Sequence, residues 1–287
     1  MKINQVNIID TFAEAWKLEV VRLVITAVSD EIALGGANQF VGAAGSGELG
    51  SRINAGIERR ALPQETPDGR PGVIIALTNT PQNRPQLLEE LSLRFHLATL
   101  IPTCSVFDFM LPGVKTDRGD IGALLKEKWS GDDWEEKIGD RTMCCVPTIT
   151  GTYRFEPIVN ISTEGCDGHF VCYAKDINAS VFAVSAAKSA LEGVDGVCPM
   201  GFGLEQVYRE KDYVLALKDK IDNSKVPDGV GSILNLLVFG VSQAYMAKAL
   251  SAAIRAACQV PGVVQIGAMN FGGAFGPYKF VLHEILK

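Results

Sequence analysis

The sequence predicts an α/β (α+β) protein of two pseudo-symmetric ferredoxin-like lobes, each a split β-α-β pair, and three observations carry that expectation. The turn Pro67-Asp68-Gly69, followed by strand, helix, Pro102 and strand, is answered by Pro227-Asp228-Gly229, followed by strand, helix, Pro261 and strand. Helices beginning near Asp30 and Asn178 each follow a β-branched strand, so each half reads β-α-β twice. A chain of 287 residues is long for one core and comfortable for two. The lobes are expected at 1–145 and 146–287.

Taken in order, Val20 to Val28 is β-branched and reads as a buried strand, with Asp30 placed to cap a glycine-interrupted helix to Ala44. Arg52 to Arg60 and Val73 to Thr78 are strands on either side of the Pro-Asp-Gly turn. Leu87, Leu88, Leu91, Phe95 and Ala98 share one helical face, and Cys104 to Met110 returns as a strand. Ile121 to Trp129 reads as a helix or as an excursion of the sheet. In the second half His169 to Ala174 is a strand and Asn178 a cap for an alanine-rich helix to Leu191. Val197 to Phe202 is a strand before a charged loop that ends near Val226. Ile233 to Phe239 and Val263 to Ala268 are strands around a helix whose buried stripe is Met246, Leu250, Ala253, Ile254 and Ala257.

Composition narrows the function classes. Apolar residues make up 47% and charged residues 21%, an ordinary globular balance. A net charge of −6 with no basic run argues against a nucleic-acid surface. No apolar stretch approaches the ~20 residues of a membrane span, and Met1 to Asp10 alternates rather than forming a signal peptide. The seven cysteines form no C-x-x-C pair and the three histidines stand far apart, which reads as reduced cytoplasmic thiols without a metal framework.

The stretch Glu65-Thr66-Pro67-Asp68-Gly69-Arg70-Pro71-Gly72 is stiffened by proline and glycine and holds two carboxylates and a guanidinium. Such a corner suits a polar ligand, with Arg70 as a bidentate anchor and the amides of Gly69 and Gly72 as donors. The same residues would equally serve a surface turn in which Glu65 and Arg70 pair. Thr103 and Cys104 follow Pro102 at a strand start; no His or Asp is placed to activate the thiol, so packing is its expected role. Asn270-Phe271-Gly272-Gly273 follows the last strand, where glycines let backbone amides approach a ligand or form a bulge.

AGIER with ETPDGRPGV resembles the signature of the formylmethanofuran:tetrahydromethanopterin formyltransferases. Ile3-Asn4, Asp10-Thr11-Phe12-Ala13-Glu14-Ala15, Ile25-Thr26-Ala27, Val260-Pro261-Gly262-Val263, Asn270-Phe271-Gly272-Gly273 and Leu282-His283-Glu284 fit in order, so the resemblance spans the chain. It implies two α/β lobes, a homotetramer, and transfer of a formyl group from formylmethanofuran to N5 of tetrahydromethanopterin. Methanofuran and tetrahydromethanopterin are then co-substrates, and no permanent cofactor or metal is needed. Direct transfer in a ternary complex demands alignment of both ligands, donors for the carbonyl oxygen, and a proton path between two nitrogens.

Glu65 is an expected catalytic residue, placed to orient a bound anion or accept a pterin N–H, and Asp68, Gly69, Arg70, Gly72, Thr103, Asn270, Gly272 and Gly273 are the expected substrate-binding residues. Three departures stand out. The resemblance implies a glutamate in the strand after the second turn, where this chain has Asn235. The glycine-rich segment is Pro199-Met200-Gly201-Phe202-Gly203-Leu204-Glu205 without Ser-Gly-Ser-Lys character, and Ala274 replaces a basic residue. The alternative reading is therefore a catalytically degenerate homologue serving as a subunit or coenzyme-binding module of a larger one-carbon complex. An acyltransferase with another coenzyme pair is more distant.

Overall fold

The computed structural model describes residues 1–45, 47, 50–125, 131–205 and 211–287, with the side chain of residue 205 also left aside. In chain order the first elements are β1 (Lys2–Ile3), β2 (Val6–Ile8), β3 (Phe12–Ala15), β4 (Lys17–Thr26), α1 (Asp30–Val41), β5 (Asn54–Ala61), β6 (Gly72–Asn79) and α2 (Arg84–Ala98). Then come β7 (Ser105–Asp108), β8 (Thr116–Asp120), α3 (Ile121–Leu125), β9 (Trp134–Ile138), β10 (Arg141–Thr148) and β11 (Gly151–Phe155). The remainder is β12 (Ile158–Ala174), α4 (Ile177–Leu191), β13 (Val197–Glu205), β14 (Ser232–Gly240), α5 (Gln243–Ala257), β15 (Val263–Gly267), β16 (Tyr278–Val281) and α6 (Leu282–Ile285).

Two compact units result. The first is Leu18–Gly165; the second joins Met1–Lys17 to Cys166–Lys287. They differ from the expected 1–145 and 146–287 for a reason visible in the strand pairing. β11 runs parallel to β7, with Arg154 opposite Ser105, which keeps the residues after 145 in the first unit. β2 pairs parallel with β15 and β3 antiparallel with β16, which ties the first residues to the last.

Within the first unit the sheet runs β5-β6-β4-β7, antiparallel throughout, and continues through β11 and β10 to β9. The second unit carries β15-β12-β14-β13, again antiparallel. Numbered by unit, both are the 4-1-3-2 order of a split βαβ pair, so the duplicated ferredoxin-like arrangement is present in each. In the first unit, Leu23, Ile25, Val73 and Ile75 face α1 and α2 in one core. In the second, Phe170, Cys172, Leu234 and Leu236 face α4 and α5. All five residues of the expected α5 stripe are buried.

Local signals were displaced by a residue or two. Ser29, not Asp30, caps α1, accepting from the Ile32 amide at 3.4 Å, while Asp30 sits in the first turn. Asp176, not Asn178, caps α4 through the Ala179 amide at 2.9 Å. The ambiguous stretch after Gly119 begins as the short helix α3; residues 126–129 lie outside the described residues, as does part of the charged loop before Val226. Among the described residues no helix is long and apolar enough to cross a membrane, and no group of three or more His, Cys, Asp or Glu is placed to hold a metal ion.

The far face of the first sheet holds a buried charge. Arg22 donates to both oxygens of Glu58 at 2.8 and 2.7 Å, both side chains being 1% exposed. A bulge between Ile57 and Arg59 leaves Glu58 out of the strand register. Arg22 also reaches the Phe109 carbonyl at 2.6 Å. Arg22→Met should destabilise the protein by about 3–5 kcal/mol, because a buried carboxylate loses its bidentate partner. Arg22→Met/Glu58→Leu should recover much of that loss in urea unfolding; equal midpoints for single variant and wild type would contradict it.

Candidate active site

The corner between β5 and β6 divides its residues into two groups. Glu65 serves the turn it occupies: one carboxylate oxygen accepts from the Leu62 amide at 2.7 Å and the other pairs with Arg59 at 2.9 Å. Gly69 takes φ +68°, which a non-glycine side chain resists, and its amide points to the Thr66 carbonyl. Gly72 is a packing glycine, since a Cβ there would lie 2.9 Å from the Val24 side chain. The Gly69 amide is thus spent inside the turn, and Gly72 serves packing.

Arg70 is instead the centre of a hydrogen-bond web. Its Nε donates to Asp68 at 2.8 Å, Nη1 to the Thr103 carbonyl at 2.7 Å, and Nη2 to Thr26 Oγ1 at 3.0 Å and Ser105 Oγ at 2.8 Å. Thr26 Oγ1 in turn donates to Asp68 at 2.7 Å. Of five guanidinium N–H groups, one on Nη1 is left, so Arg70 cannot grip an anion bidentately. It ties the corner to β4, to β7 and to the loop before β7.

That loop contains Thr103, whose φ of +66° is unusual for a β-branched residue. Its Oγ1 accepts from the Val28 amide at 3.3 Å. Arg70 and Thr103 line a cavity of about 230 Å³, together with the β10–β11 turn and Arg154. Cys104 also borders it, but burial pushes the thiol up to about 12, with Arg70 opposing. A protonated thiol without a base beside it is a poor nucleophile.

In the second unit the loop after β15 is clamped by three groups. His169, buried within β12, has Nε2 at 3.0 Å from both the Met269 amide and the Met269 carbonyl, accepting from the first in one tautomer and donating to the second in the other. Asn270 Nδ2 donates to Thr11 Oγ1 at 3.0 Å and the Phe12 carbonyl at 3.2 Å, while its Oδ1 accepts from Gly272 at 3.2 Å. The buried carboxylate of Glu14 accepts from Phe271 at 2.7 Å, Gly273 at 3.0 Å, Phe275 at 2.6 Å and Gly276 at 2.5 Å. The amides of Gly272 and Gly273, expected to meet a ligand, are thus engaged inside the protein, and their φ values of +71° and +74° fold the loop around the carboxylate. The loop presents Phe271 and Phe275, 48% and 70% exposed and edge-to-face at 5.5 Å.

Asn235 lies in β14 opposite Val171, on the sheet face away from α4 and α5. Its side chain is buried, the residue being 4% exposed, and Oδ1 has no hydrogen-bond partner among the described residues. Such an acceptor costs about 1–3 kcal/mol unless something donates to it.

The sequence reading singled out Arg70 and Thr103, which share a cavity wall. It missed Glu14, His169 and Arg154. Glu14 carried one usable signal: a lone carboxylate between alanines in Phe12–Ala15, a strand otherwise made to be buried.

Acid stability should report the loop clamp. Burial alone would raise the Glu14 carboxyl, but the amides of Gly276, Phe271, Phe275 and Gly273 hold it down at about 2, against an ordinary 4.5. Its contribution is complete above 4.5 and is lost as pH falls towards 2. Burial lowers His169 to about 4, with the Met269 hydrogen bond opposing, so its contribution is lost from 6.5 downwards. Glu14→Gln should flatten the fall in urea midpoint below pH 4.5, and His169→Gln the fall between 6.5 and 4. Variant profiles that parallel the wild type would exclude both assignments.

Comparison with known proteins agrees with this architecture. The family described as formylmethanofuran-tetrahydromethanopterin formyltransferase matches residues 1–148, and its proximal lobe matches residues 205–285. The formyltransferase of Methanothermobacter thermautotrophicus is 31% identical over 301 residues, covering 99% of this chain and all of that one. That of Methanococcoides burtonii is 32% identical over 303 residues, with 99% and 100% covered. The solved structure of the Methanosarcina barkeri enzyme superimposes with a TM-score of 0.90 at 32% identity, covering 99% of this chain and 100% of that one. The formyltransferase/hydrolase complex of Methylorubrum extorquens contains a chain of the same fold, TM-score 0.88 at 23% identity, over 100% and 99% of the two chains. By full-length sequence and fold, this chain belongs to the formylmethanofuran–tetrahydromethanopterin formyltransferase family.

Proposed function

We propose that the protein moves a formyl group from formylmethanofuran to N5 of tetrahydromethanopterin by direct transfer in a ternary complex. The observation that carries the activity is the match to formyltransferases over 99% of the chain. Directness is supported by Cys104: the thiol that borders the cavity is held protonated by burial, so a thioester route lacks its nucleophile.

The atoms balance without a cofactor. N5 attacks the formyl carbon, the carbonyl oxygen takes up charge, the bond to the methanofuran nitrogen breaks, and the proton lost from N5 is the one the departing amine requires. The protein's tasks are alignment and charge stabilisation. We assign Arg70, braced by Asp68, with Thr103 to shaping the wall of the cavity that receives one co-substrate. The clamped loop of Asn270, Gly272 and Gly273 presents Phe271 and Phe275 as stacking faces for a planar ring. Glu65 braces the corner rather than moving protons.

Asn235 is assigned to the reacting centre as a hydrogen-bonding amide in place of a glutamate. It can accept an N–H or donate to an oxyanion but cannot relay a proton. This substitution is also what favours the second reading, a degenerate homologue acting as a subunit or coenzyme-binding module.

The purified protein should transfer formyl from formylmethanofuran to tetrahydromethanopterin, and Asn235→Ala should lower kcat on the order of 10²-fold with little change in thermal midpoint. Absence of turnover by the natural chain, with turnover gained by Asn235→Glu, would overturn catalysis here and leave the subunit reading.

A further inference from the structure

We infer that the cavity beside Thr103 and the β10–β11 turn is an oxyanion site, taking a carboxylate or a phosphate with Arg154 as its principal charge. The lining decides the ligand class. Arg70 and Arg154 border the cavity, Thr103, Thr148, Thr150 and Thr152 add hydroxyl groups, and no Asp or Glu among the described residues lines it. Cationic donors and hydroxyls without a carboxylate favour an oxygen anion and disfavour a cation.

What each donor has left identifies the main contact. Arg70 has one N–H remaining after its bonds to Asp68, Thr103, Thr26 and Ser105. Arg154 spends only Nε, on Glu136 at 3.0 Å, and its Nη1 and Nη2 have no hydrogen-bond partner among the described residues. Its side chain is 33% exposed, so the two terminal nitrogens are within reach of solvent and ligand. The hydroxyls of Thr148, Thr150 and Thr152 are likewise unpartnered among the described residues. Thr103 Oγ1 accepts from Val28, which leaves its own proton to donate.

The backbone holds these donors in place. Thr152 and Arg154 are two apart on β11 and project from the same face, and Arg154 is opposite both Ser105 and Cys145. Thr103 is kept at positive φ by the bond from Arg70 to its carbonyl. A β-branched residue in that region costs on the order of 1–3 kcal/mol, and such strain concentrates where a binding geometry has to be kept. The volume of about 230 Å³ suits the anionic end of a molecule rather than a whole coenzyme.

The anion has two possible sources, the charged end of a co-substrate or free phosphate. Only the first rests on the formyl-transfer reading. The test is calorimetric titration of inorganic phosphate into the full chain at low ionic strength, paired with formyl-transfer kinetics in rising phosphate. Saturable binding is expected, weakened roughly tenfold or more by Arg154→Gln. Thr152→Val should weaken it less, and Arg154→Lys should restore part of the affinity. Phosphate competing with one co-substrate, whose KM alone Arg154→Gln raises at unchanged kcat, identifies the co-substrate's anionic end. Arg154-dependent binding without competition identifies a site for free phosphate. Arg154-dependent binding in a protein that transfers no formyl group leaves the site standing and removes the reaction. Absence of phosphate binding, or equal affinity in wild type, Arg154→Gln and Thr152→Val, overturns the inference.

Discussion

The first unit depends on one guanidinium that is almost fully spent on the protein itself. Arg70 joins the corner before β6, the strand β4, the strand β7 and the loop leading into β7. Each bond satisfies a group that would otherwise be unpaired in a partly buried place, so the web is strong only when every member is present. Asp68 has the complementary role: it neutralises Arg70 at 2.8 Å and accepts from Thr26. The corner therefore acts as a frame. A charge with one free N–H shapes the neighbouring cavity without gripping what enters it, and the unspent donors belong to Arg154 and the threonines around it.

The second unit solves a similar problem with the opposite charge. Glu14 gathers four backbone amides of the loop after β15, and His169 and Asn270 hold the start of that loop. In each unit the clamped loop adjoins the fourth strand of the split pair, β7 in one and β15 in the other. Duplication thus reaches beyond strand order to a design principle: an irregular segment held by one buried or half-buried ion. Its residues differ, however. An arginine in a turn does the work once and a glutamate in β3 does it the second time, so this part of the likeness is physical rather than a repeated motif.

Much of the fold was legible because it is written in periodicity. The repeated order of turn, strand, helix, proline and strand carried the split pairs, and the stripe through Met246, Leu250 and Ala257 carried α5. Caps slipped by a residue or two because Ser29-Asp30 and Asp176-Ile177-Asn178 each offer two competent oxygens, and local sequence does not choose between them. The unit boundaries were illegible for a stronger reason: β2 with β15 and β3 with β16 pair across more than 250 residues of chain. At the candidate site the residue types were readable and their partners were not. Glu65 and Arg70 looked like a pair, yet Glu65 turned to Arg59 and Arg70 to Asp68. Arg154 carried no signal at all, being one arginine in the short strand Gly151–Phe155, made important by the neighbours that folding gives it.

Asn235 shows what a buried position permits. Val171 opposite on β12 and Ile233 two residues before are apolar neighbours on its sheet face. A carboxylate there would be penalised by desolvation and driven towards its protonated form, a state suited to proton relay. An amide carries no such penalty and keeps both a donor and an acceptor at every pH, at the cost of the relay. The formyl transfer releases a proton at one nitrogen and consumes one at another, so the relay accelerates a proton movement that the chemistry already balances. Among the described residues nothing donates to Asn235 Oδ1. On the proposed assignment, an N–H of a bound co-substrate satisfies that acceptor, and binding recovers its cost.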